Sequence, residues 1–500
     1  MDEGPVRVAE LFAGVGGFRL GLEGDDFEFV FSNQWEPGEK AQWATQIYEE
    51  RFGSEGHTGN SIHDFTHPKD GVAAIPDHDL LVGGFPCQDY SVARTLSGEL
   101  GIKGEKGKLW VDISRIIRWK RPRPKVVLLE NVPRLLNSPA NARGLNFAII
   151  LNDLISMGYH VEWRVINAAD YGMPQQRSRV FILAYRTPGM TGNDVQSKIN
   201  GSTKYGVKKK IRGHISKWLL GTSTSKAASK WEVGPFAEAF PVTGELGKKF
   251  ELLPNWKNID NPFSSKPSPF GNAGYAYRRQ ELIGGEKIGP RVNVFWSTKV
   301  KADYDGEPQT LGDVLVDKHD PSYEIECEDE LYEWAYAKSE KKEFRIRKED
   351  RERAEAVEVP EWERNLWEIY RMCLEDPDSG GWDEYRDLFT EHLGDICYKY
   401  EEGQIAYPDL LDRPSRTVVT SEIGRSPSRM RHLIRLDDGT HRRLMPIELE
   451  RLNQFPDGWT LIDGISDSRR GFLMGNALVV GVIERLRGPL LRRLKIEGSS

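Results

Sequence analysis

The chain has 500 residues, of which 38% are hydrophobic and 10% aromatic, so it can bury a large core and is expected to form two or three lobes. No apolar run reaches the roughly 18 to 20 residues that span a bilayer, and the first residues lack the pattern of a signal peptide. The composition therefore excludes a membrane-spanning protein and predicts a cytoplasmic one. The four cysteines form no CxxC pair, which argues against a zinc site and a disulfide framework.

The formal charge of −7 is distributed unevenly. The segment from Tyr323 to Glu402 has 26 acidic and 12 basic residues, a net of −14, which leaves +7 for the rest of the chain. The stretch from Asn200 to Ser322 has 19 basic and 13 acidic residues. Such a stretch suits a nucleic-acid surface, but a solvated face is the more common explanation, so charge alone does not decide.

From Val6 to about Thr187, short apolar segments alternate with helical ones, which predicts an α/β fold with a doubly wound, mostly parallel sheet. The predicted strands are Val6–Phe12, Phe27–Ser32, His78–Gly84, Lys125–Asn131, His160–Asn167 and Val180–Tyr185. The predicted helices are Gly38–Gly53, Leu109–Lys120, Pro446–Asp457 and, after a loop, the end of Met474–Leu494. Loops and short strands are expected from Thr187 to Pro290, and mainly helix from Tyr323 to Tyr400.

A glycine-rich turn lies between the first strand and the following helix, in AELFAGVGGFRLGLEG from Ala9 to Gly24. Glycines let the backbone pass close to a ligand, although a tight structural turn would explain them too. About 20 residues further on, Trp35 could stack on an adenine, with Gln34 or Glu36 reaching a ribose. A tryptophan that merely packs is the open alternative.

Two reactive side chains follow apolar strands. Cys87 comes just after the third predicted strand, and thiolates are strong nucleophiles. Glu130 ends the fourth strand, where burial would raise the pKa of its carboxyl group and suit it to donate a proton. The alternative is a glutamate that caps the next helix. Arg177 and Arg179, at the start of the sixth strand, are suited to a planar acceptor or a phosphate.

These segments, in this order, resemble the cytosine-5 DNA methyltransferase family of bacterial restriction-modification systems. The matching motifs are FAGVGG at Phe12–Gly17, FPCQ at Phe85–Gln88, ENV at Glu130–Val132, QQRSR at Gln175–Arg179, RPSRTVV at Arg413–Val419, ELERLNQFPD at Glu448–Asp457 and GNAL at Gly475–Leu478. The resemblance covers roughly residues 6–187 and 408–490.

The resemblance implies a Rossmann-like methyltransferase fold with a large variable target-recognition domain inserted before the C-terminal motifs. The implied domains are 1–187, catalytic and binding S-adenosyl-L-methionine; 188–407, target recognition, with an acidic helical part at about 323–402; and 408–500, completing the catalytic domain. The chain would transfer a methyl group from S-adenosylmethionine to carbon 5 of a specific cytosine in double-stranded DNA, with that base flipped out of the duplex.

Individual roles also follow from the resemblance. Cys87 would add to carbon 6 of the cytosine while Glu130 holds the ring nitrogen and the amino group. Arg179 would hold the base carbonyl, and Arg177 would support Glu130 and the DNA backbone. The residues implied to bind the cofactor are Phe12, Ala13, Gly14, Gly16, Gly17, Gln34, Trp35, Glu36, Ser61, Ile62, Pro86, Leu109 and Asn476. Those implied to bind DNA are Gln88, Ser91, Gln175, Thr310 and Leu311, and no metal is implied.

Two positions depart from the family pattern. Gln34 stands where the family usually has Glu, and Ser61 stands where it usually has Asp. Each change removes a charge from the expected cofactor pocket, which leaves open whether Glu36 or Asp64 compensates.

Two other functions compete with this interpretation. A transfer-RNA cytosine-5 methyltransferase shares the catalytic core but normally lacks so large an insert. A catalytically silent DNA-binding relative predicts a damaged Cys, Glu and Arg set, whereas all are present in this sequence. We expect a monomer in the bacterial cytoplasm, associated with the nucleoid when bound to DNA, and a separately acting restriction endonuclease as a partner. The recognition sequence cannot be derived from the residues.

Overall fold

The computed structural model describes residues 4–67, 69–85, 108–186, 234–244, 248–252, 263–264, 266–280, 291–346 and 397–498. They fall into two compact units. The first comprises Met1–Asp320, Leu411–Gly424 and Leu444–Ser500, and the second comprises Pro321–Leu410 and Arg425–Arg443. The predicted boundaries after residues 187 and 407 therefore do not coincide with the units, because the described segments between residues 234 and 320 belong to the first.

The first unit is built on a ten-stranded sheet with the order β3-β2-β1-β4-β5-β7-β6-β10-β11-β9. Its strands are β1 (Val6–Leu11), β2 (Phe27–Asn33), β3 (His57–Thr58), β4 (Leu80–Gly84), β5 (Val126–Asn131), β6 (Tyr159–Asn167), β7 (Ser178–Arg186), β9 (Lys248–Leu252), β10 (Ala273–Gln280) and β11 (Arg291–Thr298). The strands from β3 to β5 pair in parallel, and the remaining pairs are antiparallel. Seven of the ten strands run in one direction, so the predicted fold class is confirmed.

Helices cover both faces of this sheet. They are α1 (Gly17–Leu22), α2 (Trp43–Phe52), α3 (Lys108–Trp119), α4 (Leu145–Ser156), α5 (Pro235–Ala239), α7 (Pro446–Leu452), α8 (Asp467–Asn476) and α9 (Val480–Gly498). Because neighbouring strand residues point to opposite faces, Val8 packs in one core cluster and Ala9 in the other. The apolar runs seen in the sequence are therefore strands buried on both sides.

The middle of the chain contributes more to this sheet than its sequence predicted. Strands β10 and β11, eight residues each, pair with one another, and β10 also pairs with β6. A separate two-stranded antiparallel sheet pairs β8 (Val242–Gly244) with β12 (Val300–Ala302), which come before and after these strands in the chain. The expectation of a separate recognition domain beginning at residue 188 is wrong for these strands, which extend the sheet of the first unit.

The second unit contains α6 (Glu328–Lys338), the paired strands β13 (Lys341–Ile346) and β14 (Cys397–Glu402), and the short ladder of β15 (Ile434–Arg435) and β16 (His441–Arg442). The mainly helical prediction for this part is wrong at β13 and β14. Lys338 and Asp409 form a buried ion pair there, and Asp409 also accepts a hydrogen bond from the Leu433 amide at 2.9 Å. No helix among the described residues is long and apolar enough to cross a membrane.

Candidate active site

The glycine-rich turn follows β1 and is fixed to the end of β2. The backbone φ angles of Phe12, Gly14 and Gly16 are 55°, 57° and 88°, so the turn is left-handed at three positions. The Ala13 amide donates to the Asn33 carbonyl at 2.9 Å. A side chain at Gly16 would clash, because a β-carbon there would lie 2.2 Å from the ring of Phe52. These contacts explain why glycine is needed and why the turn has one shape.

Gln34 secures the same turn with its side chain. Its Oε1 accepts a hydrogen bond from the Gly14 amide at 2.7 Å, and the side chain is largely buried. Among the described residues, no hydrogen bond from its Nε2 is present. Gln34 therefore serves the turn as an acceptor, as a carboxylate would, and keeps a donor for a ligand.

The aromatic side chain next to Gln34 is open to solvent. Trp35 is 43% exposed, which is unusual for so large an apolar group and fits a surface that a planar ligand covers. The Glu36 carboxylate is already engaged and is therefore less available to a ligand. The Arg469 Nη2 donates to both of its oxygens at 2.8 Å. The idea that Glu36 replaces the usual acidic ribose contact is therefore not favoured.

The remaining cofactor predictions are spread around this region. Ser61 accepts a hydrogen bond from the His63 amide at 3.3 Å, so its hydroxyl caps a short 3-10 helix. Ile62 is buried in the core, and Leu109 packs partly buried against the same cluster. Asn476, in the GNAL motif, is exposed at the end of α8. Leu478 of the same motif packs against Gly17 in the glycine-rich turn.

Glu130 and Arg179 form the centre of the predicted catalytic set. The Arg179 Nε lies 2.8 Å from the Glu130 Oε1, and both side chains are more than four-fifths buried. Burial raises the pKa of Glu130, and the charges of Arg179 and Arg177 oppose that rise. The predicted direction of this pKa shift is confirmed, and the alternative of a helix cap is replaced by an ion pair.

Arg177 lies close enough to Glu130 for its charge to oppose the rise in the pKa of that carboxyl group, and its side chain also binds two distant parts of the chain. Its guanidinium is buried and donates to the carbonyls of Val418 at 3.2 Å and Gly475 at 2.7 Å. A β-carbon on Gly475 would lie 2.4 Å from the Thr420 amide nitrogen, so glycine is required beside this guanidinium. Arg177 thus joins two of the three C-terminal motifs, RPSRTVV and GNAL, and the predicted contact with the DNA backbone is wrong for a side chain that is only 2% exposed.

Two predicted DNA contacts are also corrected. Gln175 is 0% exposed, its Oε1 accepts from the Val418 amide at 3.0 Å, and its Nε2 contacts the Asn453 Oδ1 at 3.1 Å. Leu311 is buried too. Both side chains are internal and cannot reach a duplex. Thr310 is half-buried, and its amide donates to Asp313 at 2.7 Å.

Four predicted site residues lie outside the described part of the chain: Pro86, Cys87, Gln88 and Ser91. The described segment before them ends at Phe85, whose carbonyl accepts a hydrogen bond from the Asn131 Nδ2 at 2.7 Å. A β-carbon on Gly84 would lie 3.1 Å from the Glu130 Oε2. The chain therefore leaves β4 beside Glu130, three residues before Cys87.

One group among the described residues has the spacing of metal ligands: His63, His67 and Asp112. Arg115 already supplies a cation there, because its guanidinium contacts the His67 ring and lies 3.7 Å from the Asp112 Oδ1. The Thr66 hydroxyl also donates to Asp112 at 2.5 Å. The buried His63 Nδ1 and Asp112 Oδ2 have no hydrogen-bond partner among the described residues, so this polar network is only partly satisfied.

Two residues that the sequence did not single out support the site. Asn131 holds the chain that leads to the nucleophile motif, and its place in ENV was the available signal. Arg469 neutralises Glu36 from 433 positions away, and no local pattern indicates such a pair.

A further buried carboxyl, Glu10, lies under the glycine-rich turn and provides a pH-dependent prediction. Burial raises its pKa to about 8, against the hydrogen bond from the Tyr48 hydroxyl at 2.9 Å and the charge of Arg19. Because the folded-state pKa exceeds the unfolded value, its contribution is complete below about pH 4.5 and is lost as the pH rises through 8.

We therefore expect the free energy of unfolding to fall more steeply between pH 6.5 and 8 in the wild type than in Glu10→Gln, by at most about 1.4 kcal/mol per pH unit. Urea denaturation at the two pH values measures this difference. Equal slopes for the two proteins would show that Glu10 is ionised in the folded state.

Comparisons with known proteins identify the family through sequence similarity. The family model for C-5 cytosine-specific DNA methylases matches residues 6–233. The Type II methyltransferase M.Sau3AI of Staphylococcus aureus is 35% identical over 96% of this chain and 94% of its own length. M.HhaI of Haemophilus parahaemolyticus is 37% identical over 36% of this chain and 49% of its own length. The solved structure of the S. pombe Dnmt2 methyltransferase superposes with a TM-score of 0.49 at 14% identity, covering 97% of this chain and 98% of that one.

The M.Sau3AI match extends along nearly the whole of both chains and includes the N-terminal and C-terminal motifs that meet at Arg177. The chain therefore belongs to the C-5 cytosine-specific DNA methylase family and is a DNA (cytosine-5-)-methyltransferase.

Proposed function

We propose that this enzyme transfers the methyl group of S-adenosylmethionine to a cytosine in double-stranded DNA through a covalent bond to Cys87. The observation that carries the proposal is the buried Glu130–Arg179 pair, with its 2.8 Å contact, beside the point where the chain leaves β4 towards Cys87. A carboxyl group and a guanidinium side by side match the ring nitrogen, amino group and carbonyl of a cytosine edge.

The residues around the glycine-rich turn fit S-adenosylmethionine. Trp35 exposes an aromatic face for an adenine, and Gln34 keeps its Nε2 as a donor for ribose oxygens while its Oε1 holds the Gly14 amide. The left-handed turn from Phe12 to Gly16 brings main-chain atoms rather than side chains towards a ligand. We infer that these residues form the cofactor pocket, with Pro86, Leu109 and Asn476 completing it.

Gln34 gives a direct test of this pocket. We expect Gln34→Ala to weaken S-adenosylmethionine binding about 10-fold, because the Gly14 amide loses its acceptor and the turn loosens. The matched variant Gln34→Glu keeps the acceptor for the Gly14 amide but loses the Nε2 donor, so it is expected to recover most of the affinity that Gln34→Ala loses. Isothermal titration calorimetry measures both. Wild-type affinity in Gln34→Ala would place the cofactor elsewhere.

The chemistry can then be assigned to the chain's own groups. When bound, S-adenosylmethionine supplies an electrophilic methyl group. The Cys87 thiolate would add to carbon 6 of cytosine, moving the electrons of the C5–C6 double bond towards ring nitrogen 3. Glu130, whose pKa burial raises, would give a proton to that nitrogen while Arg179 holds the carbonyl. After carbon 5 takes the methyl group, loss of its proton to a base and departure of the thiolate restore the double bond.

The target cytosine must leave the duplex, because the buried Glu130 and Arg179 cannot reach a stacked base. We propose that the second unit, Pro321–Leu410 with Arg425–Arg443, carries target recognition, since the strands up to Thr298 belong to the catalytic sheet. The relatives named above are bacterial Type II methyltransferases, and by analogy we propose a monomer in the cytoplasm that protects sites from a separate restriction endonuclease.

The proposed substrate is tested by transfer of tritium-labelled methyl groups from S-adenosylmethionine to unmethylated duplex DNA and, in parallel, to transfer RNA. We expect labelling of the duplex, with label recovered as 5-methylcytosine. Labelling of transfer RNA alone would support the competing RNA enzyme, and no labelling of either would support a silent relative.

A further inference from the structure

The second unit is assembled from two segments of opposite charge. Pro321–Leu410 contains 27 acidic and 12 basic residues, whereas Arg425–Arg443 contains six arginines and two aspartates. The arginine-rich segment enters this unit after Gly424, and the chain returns to the first unit at Leu444. Arg442 and Arg443 are buried, so the surface charge lies in residues 425–435, which contain four arginines and no acidic residue. Such a stretch within an acidic unit indicates a local site for anions rather than a general surface property.

The start of the arginine-rich segment is held rigidly by its own unit. The Arg429 Nη1 donates to the Ser339 carbonyl at 3.0 Å, and its Nε lies 3.3 Å from the Glu402 Oε2. Arg431 donates to the Ser426 hydroxyl at 2.9 Å, which closes a short loop. These two arginines are therefore structural, and they fix the loop between them before any ligand binds.

Beyond Arg431 the chain enters the core of the unit. His432 and Leu433 are buried, and Leu433 packs with Ile325 and Trp334. Because the segment is anchored at this end and at Arg429, the residues that remain at the surface are presented in a fixed arrangement. Arg425 and Arg435 are exposed, one on each side of the anchors.

An apolar side chain projects between the anchoring arginines. Met430 is 51% exposed, although its neighbours on both sides are tied down, and its amide donates to the Ser428 hydroxyl at 3.3 Å. Proteins that deform a duplex often place an apolar wedge of this kind next to arginines, which bind the phosphates while the wedge contacts the bases. An exposed methionine between cations fits that arrangement and is poorly suited to a purely ionic surface.

We propose that the segment Arg425–Arg435 is a duplex-DNA contact of this enzyme, in which Arg425 and Arg435 bind phosphates and Met430 packs against bases in a groove. The proposal rests on the proposed function, since it takes duplex DNA as the substrate. It assigns DNA contacts to a segment that the sequence motifs did not mark, in place of the internal Gln175 and Leu311.

Salt dependence tests the phosphate contacts. For the double variant Arg425→Gln/Arg435→Gln, we expect binding to a mixed-sequence duplex to weaken about 10-fold at 0.1 M salt. The slope of log K against log salt should fall by about 1.8, because each lost phosphate contact removes about 0.9. The KM for unmethylated genomic DNA should rise while kcat and S-adenosylmethionine affinity stay within a few-fold.

The matched control is Arg492→Gln, which changes an exposed arginine of α9 in the first unit and should leave the slope unchanged. Met430→Ala should raise the KM for genomic DNA several-fold with an unchanged salt slope. Thermal unfolding checks that all variants fold.

An unchanged slope and KM in the double variant, with a wild type that methylates duplex DNA, would overturn this proposal alone. A slope change seen with transfer RNA but not with duplex DNA would overturn it too, whereas a wild type that never methylates DNA would refute the proposed function.

Discussion

Replacing Cys87 with alanine is expected to lower methyl transfer to duplex DNA by at least about 10⁴-fold, because the attacking atom is removed and no other group can activate carbon 5. Affinity for S-adenosylmethionine should stay within a few-fold, since we propose that the cofactor is bound by the turn at Phe12–Gly17 and by Trp35 rather than by Cys87. Single-turnover transfer of tritiated methyl groups measures the first quantity, and calorimetry measures the second.

Cys327 provides the matched control for this experiment. It is a free, exposed cysteine in the second unit, so Cys327→Ala removes a reactive thiol without touching the proposed site. This variant should methylate DNA at the wild-type rate. Wild-type activity in Cys87→Ala, or loss of activity in Cys327→Ala, would contradict the assignment of the nucleophile.

The second large effect concerns Glu130. We expect Glu130→Gln to lower kcat about 10³-fold, because an amide of the same shape cannot give a proton to the cytosine ring nitrogen. The KM for DNA should change much less, since the loss falls on the chemical step rather than on phosphate binding. Steady-state kinetics with unmethylated duplex DNA separates the two parameters.

Glu162 distinguishes a chemical effect from the effect of altering any buried carboxyl group. It lies on β6, burial raises its pKa as it does for Glu130, and it accepts a hydrogen bond from the Tyr185 hydroxyl. We expect Glu162→Gln to retain the wild-type kcat. Equal losses of kcat in the two variants would mean that Glu130 acts only through folding.

The parts of the fold that sequence could predict are those written in local patterns. The continuous apolar strands from Val6 to Tyr185 follow from burial on both faces, and each predicted strand lies within two residues of an observed one. Glu130 could be placed because a carboxylate at the end of an apolar strand needs a partner. Arg179 supplies that partner from the neighbouring strand β7.

Long-range contacts account for what could not be predicted. Gln175 resembles a surface glutamine in sequence, yet its partners Val418 and Asn453 lie more than 240 residues away and bury it completely. Strands β10 and β11 come from a stretch without regular periodicity. They are stabilised by pairing with each other and by the pairing of β10 with β6, rather than by a local pattern. No local sequence pattern predicts that Arg425–Arg443 belongs to the second unit.

The most direct test of the covalent mechanism uses duplex DNA in which cytosine is replaced by 5-fluorocytosine. Fluorine at carbon 5 cannot leave as a proton, so methyl transfer would stop with the enzyme still bonded to carbon 6. After incubation with S-adenosylmethionine and digestion, mass spectrometry should find the methylated base attached to the peptide that contains Cys87. An adduct on another residue, or complete turnover without any adduct, would contradict the account.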